Sequence, residues 1–284
     1  GEARRCGRMA AVTGGFSAFR APVVGREELG PGLVRLALEA PELKAAAPGQ
    51  FVNVLCRDPQ ALDPLIRRPF SLAGVDRARG LAFLVVKVVG RASSWLSARQ
   101  PGDSLDLLGP LGRAFRRPDA GAPVLLVGGG TGTAPLLFLA RELAASGGGH
   151  RVFAIAGFRD ASHAIMVDDL RDAGAEVAVM TEDGSLGGRG TAGQAAASAW
   201  REARAVFACG PWGMLQALER LRRQDPRPLQ VAVETMMGCG AGVCLSCVVP
   251  WRRAHGHRVT GWARACVEGP VFDAEELAWE RCPS

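Results

Sequence analysis

Three cysteines fall within nine residues, Cys239, Cys244 and Cys247 in the stretch MMGCGAGVCLSCVVP, and a fourth, Cys266, follows at a distance. Cys-x4-Cys-x2-Cys with a remote fourth thiol is the spacing of plant-type 2Fe-2S ligation, in which four thiolates hold two irons. Gly238, Gly240 and Gly242 let such a loop wrap closely and free its amides to donate hydrogen bonds to sulfur, which tunes the reduction potential. Structural zinc is the rival reading. Cys244 and Cys247 alone have the spacing of a zinc knuckle, and His255 and His257 lie nearby in what reads as a solvated turn. A Rieske centre would need histidines among paired cysteines, a pattern the sequence lacks.

Other stretches carry residues suited to a nucleotide. In VGGGTGTAP, Gly128, Gly129, Gly130, Thr131 and Gly132 separate an apolar run from a helical pattern, with Thr133 as expected N-cap and Pro135 inside the first turn. Missing side chains let backbone approach a pyrophosphate, and helix-terminal amides attract it. A tight turn without ligand is the plain alternative, because the run is not the full dinucleotide fingerprint. It is also not a Walker loop. ACGPWGML puts Cys209 and Gly210 just after an apolar run, at the edge where open α/β sheets bind ligands. A small polarizable thiol there can sit beside a flat ring, or it can simply be buried. RRPFSLAG supplies Arg68, Phe70 and Ser71. Alternation sets Arg68 and Phe70 on one strand face and Ser71 on the other, an arginine for phosphate and an aromatic for a ring system. VKVVGRASSWL adds Gly90, Ala92 and Ser93 at a turn into a helix, where amides can meet phosphate.

These residues need elements to hold them. The chain has 284 residues, 48% of them hydrophobic and 22% charged, which suits two or three soluble globular domains with real cores. The net charge of +6 is spread through Ala/Gly/Arg-rich sequence and reads as solvated surface rather than a nucleic-acid face. No apolar run is long enough for a membrane span, and the first residues lack the apolar core of a signal peptide, so a cytoplasmic protein is expected. Eight cysteines in such a chain point to metal or redox chemistry rather than a disulfide framework.

Two proline-rich seams, RRPDAGAP at Arg116–Pro123 and QDPRP at Gln224–Pro228, divide the chain into segments 1–118, 119–226 and 227–284. In the first, short Val/Leu/Phe runs between Gly/Pro/Asp turns predict a small antiparallel barrel. Alternating strand-like and helix-like runs in the second predict a parallel α/β sheet. The third is cysteine-dense and too short to fold well on an apolar core alone.

Together the three segments resemble the ferredoxin-reductase-like flavoproteins, and among them the electron-transfer subunits of NAD-dependent (class 1B) dihydroorotate dehydrogenase. RRPFSL is similar to the family's flavin-binding Arg-x-Tyr/Phe-Ser element, GGGTGTAPL to its nicotinamide-domain loop and ACGPWGML to its Cys-Gly-Pro turn. CGAGVCLSC with ACVEGPVF is similar to the subunit's own cluster signature. The resemblance implies a multi-domain protein: a FAD-binding β-barrel, an α/β NAD domain and a small C-terminal iron-sulfur domain. It implies FAD contacts from Arg68, Pro69, Phe70, Ser71, Val86, Lys87, Val88, Ala92 and Ser93, and cluster ligation by Cys239, Cys244, Cys247 and Cys266. Val86-Lys87 and Ala92-Ser93 replace the Tyr-Arg and Gly-Thr frequent in relatives, and the chain has no tyrosine at all, which takes away aromatic stacking at those positions. Lys87 can still meet a phosphate as a point charge.

The implied function is electron transfer from the FMN of a dihydroorotate dehydrogenase catalytic subunit through 2Fe-2S and FAD to NAD, in pyrimidine biosynthesis. The implied assembly has two of each subunit. No side chain need act as general acid or base. A gamma-type diaphorase subunit of a cytoplasmic hydrogenase, or a ferredoxin/NADP transhydrogenase, is the alternative enzyme, and a zinc-stabilised binding module the alternative from another class. Arg159 and Asp160, at the end of the second expected strand of the α/β segment, would favour a 2′-phosphate and a ribose hydroxyl respectively, so they leave NAD against NADP open. The family likeness implies NAD. Cys6, Cys56 and Cys282 are given no role.

Overall fold

The computed structural model describes residues 16–252 and 261–282, so Cys6, His255 and His257 lie outside the described residues. Six antiparallel strands come first: β1 (Ser17–Gly30), β2 (Leu33–Glu39), β3 (Phe51–Val54), β4 (Arg68–Asp76), β5 (Leu81–Lys87) and β6 (Ser104–Leu111). They close a barrel in the order β1-β2-β5-β4-β3-β6. Closure follows from alternation. Leu36, Leu38, Val52, Val54, Leu84, Val86, Leu105 and Leu107 all point inward and are fully buried, leaving their neighbours to face outward. The apolar runs of this segment, GLVRLALEA, GQFVNVLC, PFSLAGV, GLAFLVVKVVG and DSLDLLGPLG, match β2 to β6. The strand they omit is β1, where Pro22 and the Glu27-Glu28 pair interrupt the apolar signal although Ala21 and Val23 are buried in the barrel.

A short helix, α1 (Arg91–Ser97), covers the β5 end. The second unit is a sheet of β7 (Val124–Gly129), β8 (Val152–Phe158), β9 (Glu176–Thr181), β10 (Gly188–Arg189) and β11 (Ala205–Cys209), with α2 (Thr133–Ala145), α3 (Val167–Asp172), α4 (Ala192–Trp200) and α5 (Trp212–Gln224). Strand alternation serves both faces. Val124 and Leu126 pack with α2 and α3, while Leu125 and Val127 pack with α4 and α5, so the sheet is covered on each side.

This sheet runs past the 226/227 seam. β12 (Leu229–Ala232) pairs parallel with β11, and β15 (Val271–Asp273) pairs antiparallel with β12 to close the edge. The full order is β10-β9-β8-β7-β11-β12-β15. Between those two strands the chain leaves the sheet, forms the cysteine loop and the hairpin β13 (Val248–Trp251) and β14 (Gly261–Arg264), and returns. Composition marked the seam. It could not show that buried runs as short as LQVA and VFD would find the open sheet edge, because a run of that length has no diagnostic period.

Among the described residues, the cysteine segment shares its core with its neighbours. Met237, Cys247, Val249, Ala263, Cys266, Leu277 and Trp279 share one cluster with α4, α5 and the outward residues Phe51 and Leu111 of the barrel. Its approach to the barrel is close enough to need glycine. At Gly112 φ is +77°, and a Cβ would stand 2.5 Å from Pro270 Cδ and 2.9 Å from the Phe51 ring. G112A should therefore cost about 2–4 kcal/mol from left-handed strain and overpacking. Urea unfolding checks this; an unchanged midpoint would show that the junction relaxes around a methyl group.

Candidate functional site

The barrel and the sheet enclose a cavity of about 900 Å³, a size suited to a cofactor. It opens at the carboxyl ends of β7, β8 and β11, the edge at which open α/β sheets bind ligands. Pro69, Phe70, Ser71 and Lys87 line its barrel side, and Gly129, Gly130, Thr131 and Cys209 its sheet side. Gly130 has φ +54° with open space where a side chain would go, as a backbone meeting a phosphate requires.

Gly129, Gly132 and Gly210 have a different task. A Cβ on Gly132 would lie 2.2 Å from the Cys209 carbonyl oxygen, one on Gly129 2.7 Å from Pro211 Cδ, and one on Gly210 3.0 Å from the Gly129 backbone. The β7 and β11 loops thus interlock backbone to backbone. Gly128 is buried behind them, where a Cβ would meet Thr133 Oγ1 at 2.9 Å. Thr133 is not the N-cap. A 3-10 turn over Gly130–Gly132 precedes α2, and the Thr133 hydroxyl donates to the Gly130 carbonyl at 2.8 Å, bracing the loop instead.

Several expected contacts lie elsewhere. Val86 is fully buried inside the barrel, so its side chain cannot reach a ligand in the cavity. Its neighbours Val85, Lys87 and Val89 carry the outward phase. Val88 is exposed, and Arg68 turns back to donate to the Ile66 carbonyl at 2.9 Å. The Ser93 hydroxyl accepts from the amides of Val89 and Gly90 at 2.9 and 3.0 Å and so caps α1 with the donors expected to meet phosphate. Ala92 packs against the barrel core.

Charged groups bound both ends of the cavity. Arg159 lines it, but donates to Asp160 at 3.0 Å. Asp160 is also held by His163 and Ser162, bonds that keep its carboxyl well below the usual range. Glu234 and Glu182 were not foreseen. Glu182 directly follows β9, and Glu234 follows β12 by one residue, both at cavity-lining positions. A carboxylate just past an apolar run was the available signal. Burial pushes the Glu234 carboxyl up, opposed by Lys87, and burial likewise keeps the Cys209 thiol protonated with Glu234 adding to the effect.

The cysteine loop continues directly from the cavity wall: Glu234, Thr235 and Met237 line the cavity, and Cys239 comes two residues later. Cys239 Sγ accepts from the amides of Ala241 and Val243 at 3.3 Å each and of Cys244 at 3.5 Å. Cys244 Sγ accepts from the Cys239 amide at 3.3 Å and lies 3.2 Å from Ser246 Oγ. The Ser246 contacts, with the Cys239 bonds, bring the Cys244 thiol down to about 6, where thiolate forms readily. Cys247 and Cys266 are buried together, and burial followed by the Cys247 contact raises Cys266 to about 12. Gly240 and Gly242 take φ of +70° and +82°, which lets the loop curl. Leu245 takes φ +58°, a strained value for leucine, between the second and third cysteines. Among the described residues, no three His, Cys, Asp or Glu side chains converge as one ion would need. The thiols stand instead as two neighbouring pairs, Cys239 with Cys244 and Cys247 with Cys266, a donor set fitted to two irons.

The solved structure of an NADH-dependent reduced ferredoxin-NADP oxidoreductase, studied for flavin-based electron bifurcation, superposes with a TM-score of 0.79. It is 29% identical and is covered to 90%, against 92% of this chain. A ferredoxin reductase of carbazole 1,9a-dioxygenase gives 0.66 at 25% identity, covering 76% of this chain and 69% of that one. Barrel, sheet and cysteine loop thus define an iron-sulfur oxidoreductase of the ferredoxin-reductase type, whose cofactors are FAD, a 2Fe-2S cluster and NAD. Residues 234–278 match the iron-sulfur cluster binding domain of dihydroorotate dehydrogenase B. The electron transfer subunit of dihydroorotate dehydrogenase B (NAD(+)) from Desulforamulus reducens is 37% identical over 92% of this chain and 98% of its own length. The Bacillus caldolyticus subunit is 38% identical over 81% and 86%. The chain belongs to this family of electron transfer subunits.

Two outcomes follow from the geometry. Serine in place of Cys239, Cys244, Cys247 or Cys266 should remove bound iron and labile sulfide, whereas C282S should keep both; metal and sulfide assays on the purified variants decide. Because the Glu234 pKa is raised, its contribution to stability is full below the ordinary value of about 4.3 and is lost as pH rises through the raised one. E234Q should therefore match the parent melting temperature in acid and exceed it at neutral pH. A pH-independent offset would place the carboxyl in ordinary solvent.

Proposed function

We propose that this chain carries electrons between a dihydroorotate-oxidising catalytic subunit and NAD, with the nicotinamide entering the cavity beside Cys209 and the cluster held by Cys239, Cys244, Cys247 and Cys266. The observation that carries the reading is the adjacency of the two sites: Phe51 of the cavity wall and Asn53, which donates to the Cys239 carbonyl, lie two residues apart on the outer face of one barrel strand. FAD, when bound, supplies the exchange between hydride and single electrons that joins the two. The side chains position and shield. Pro69, Phe70 and Ser71 form one wall, Lys87 offers a positive charge to a phosphate, and Gly130, with open space where a side chain would stand, offers its backbone.

Cys209 presents a small neutral thiol at the sheet edge, and Glu234 stands opposite as a carboxyl whose proton is held more tightly than usual. The family name supports a partner catalytic subunit. We further infer that this partner carries FMN, that two of each subunit assemble, and that the complex works in the cytoplasm. Among the described residues, no helix is long and apolar enough to cross a membrane. The match of 234–278 to the dihydroorotate dehydrogenase B domain favours this partner over the diaphorase or transhydrogenase reading.

An absorbance spectrum of anaerobically purified protein, before and after NADH, tests the path. Flavin bands that bleach, with about two irons and two sulfides per chain, are expected. Zinc in a colourless protein would overturn the reading.

A further inference from the structure

Asn53 sits where a strand would ordinarily place an apolar residue. β3 reads Phe-Val-Asn-Val and every residue of it is buried, Asn53 completely. Val52 and Val54 fill the barrel, so Phe51 and Asn53 share the outward face. Phe51 lines the cavity and also packs in the core that holds Cys247 and Cys266. Asn53 pairs across the ladder with Pro69, another wall of the cavity. Its Nδ2 donates to the Cys239 carbonyl at 3.2 Å. The contact is tight: a Cβ on Gly240 would fall 2.0 Å from that nitrogen.

The arrangement has a cost. Among the described residues, Asn53 Oδ1 is buried without a hydrogen-bond partner. A leucine of similar shape would fill the space without a stranded acceptor, so folding alone does not call for an amide here. What an amide adds is one directed donor, fixed to the strand beside the flavin cavity and aimed at the peptide of the first cluster cysteine. We propose that Asn53 is a positioning residue for the cluster, fixing the Cys239 peptide against the cavity wall and placing a donor dipole beside the ligand loop. This rests on Cys239 being a ligand. Partners just beyond the ligands orient metal sites and tune their potentials, and their loss typically lowers metal affinity or activity by about 10–100-fold.

The test uses full-length protein loaded with both cofactors, comparing the parent with N53L, which keeps the shape and removes the donor, and N53D, which reverses the dipole. Removing a donor disfavours the more negative reduced cluster. The cluster midpoint potential should therefore fall in N53L and further in N53D, with changed electron paramagnetic resonance g-values, while NADH still bleaches the flavin at the parent rate. Loss of the cluster, at least about tenfold faster, from a folded, flavin-loaded N53L protein would equally support the proposal. Unchanged potential and g-values in N53L would overturn it and leave Asn53 as packing. N53S, which leaves space instead of adding bulk, is read the same way should N53L fail to fold. Iron and sulfide assays on the parent and on C239S separate this outcome from a wrong ligand assignment.

Discussion

The cysteine segment cannot bury itself. It is short, its loop is curled by glycines, and the thiols that give it chemistry contribute little apolar area, so it must borrow a core from both neighbours. Met237, Cys247, Cys266 and Leu277 pack with α5 and with Phe51 and Leu111 of the barrel, in one continuous cluster. That dependence brings a one-electron site and a nucleotide cavity together on the outer face of a single strand. Had the segment folded on its own core, only a linker would have set the separation of the two sites.

A similar economy governs the cavity. The sheet loops close on each other through Gly129, Gly132 and Gly210, whose missing side chains permit backbone contact. The charged groups around the opening they leave are Lys87 on the barrel, Arg159 and Glu182 at the far sheet end, Arg220 of α5, and Glu234 near Cys209. Burial of Cys209 keeps the proton on its thiol, which suits a site that must shield hydride chemistry from stray charge.

Fold class, the three-part order of the chain and the cysteine constellation were legible because each has a strong local signature: strand alternation, helical spacing, and thiol spacing. Side-chain direction was less so. Arg-Pro-Phe-Ser and Val-Lys-Val fix which residues are near a ligand, but one step of phase decides that Lys87 faces the cavity while Val86 faces the barrel core. Thr133 and Ser93 have the residue types of caps and phosphate contacts, yet their hydroxyls are spent on Gly130 and on the Val89 and Gly90 amides. Asn53 had no signature, since its meaning lies in a contact with a segment far off in the chain.

The two strands that flank the cysteine segment meet at their inner ends: Ala232, the last residue of β12, stands directly opposite Val271, the first of β15. The excursion from 233 to 270 therefore begins and ends at one point of the sheet edge. Joined directly there, the two strands would form an ordinary hairpin, and the barrel and sheet would be left closed. A redox centre placed this way is an inserted cassette, gained or lost as one piece without changing the order of any other strand. The arrangement offers a physical route by which a reductase that deals only in hydride could acquire a single-electron outlet.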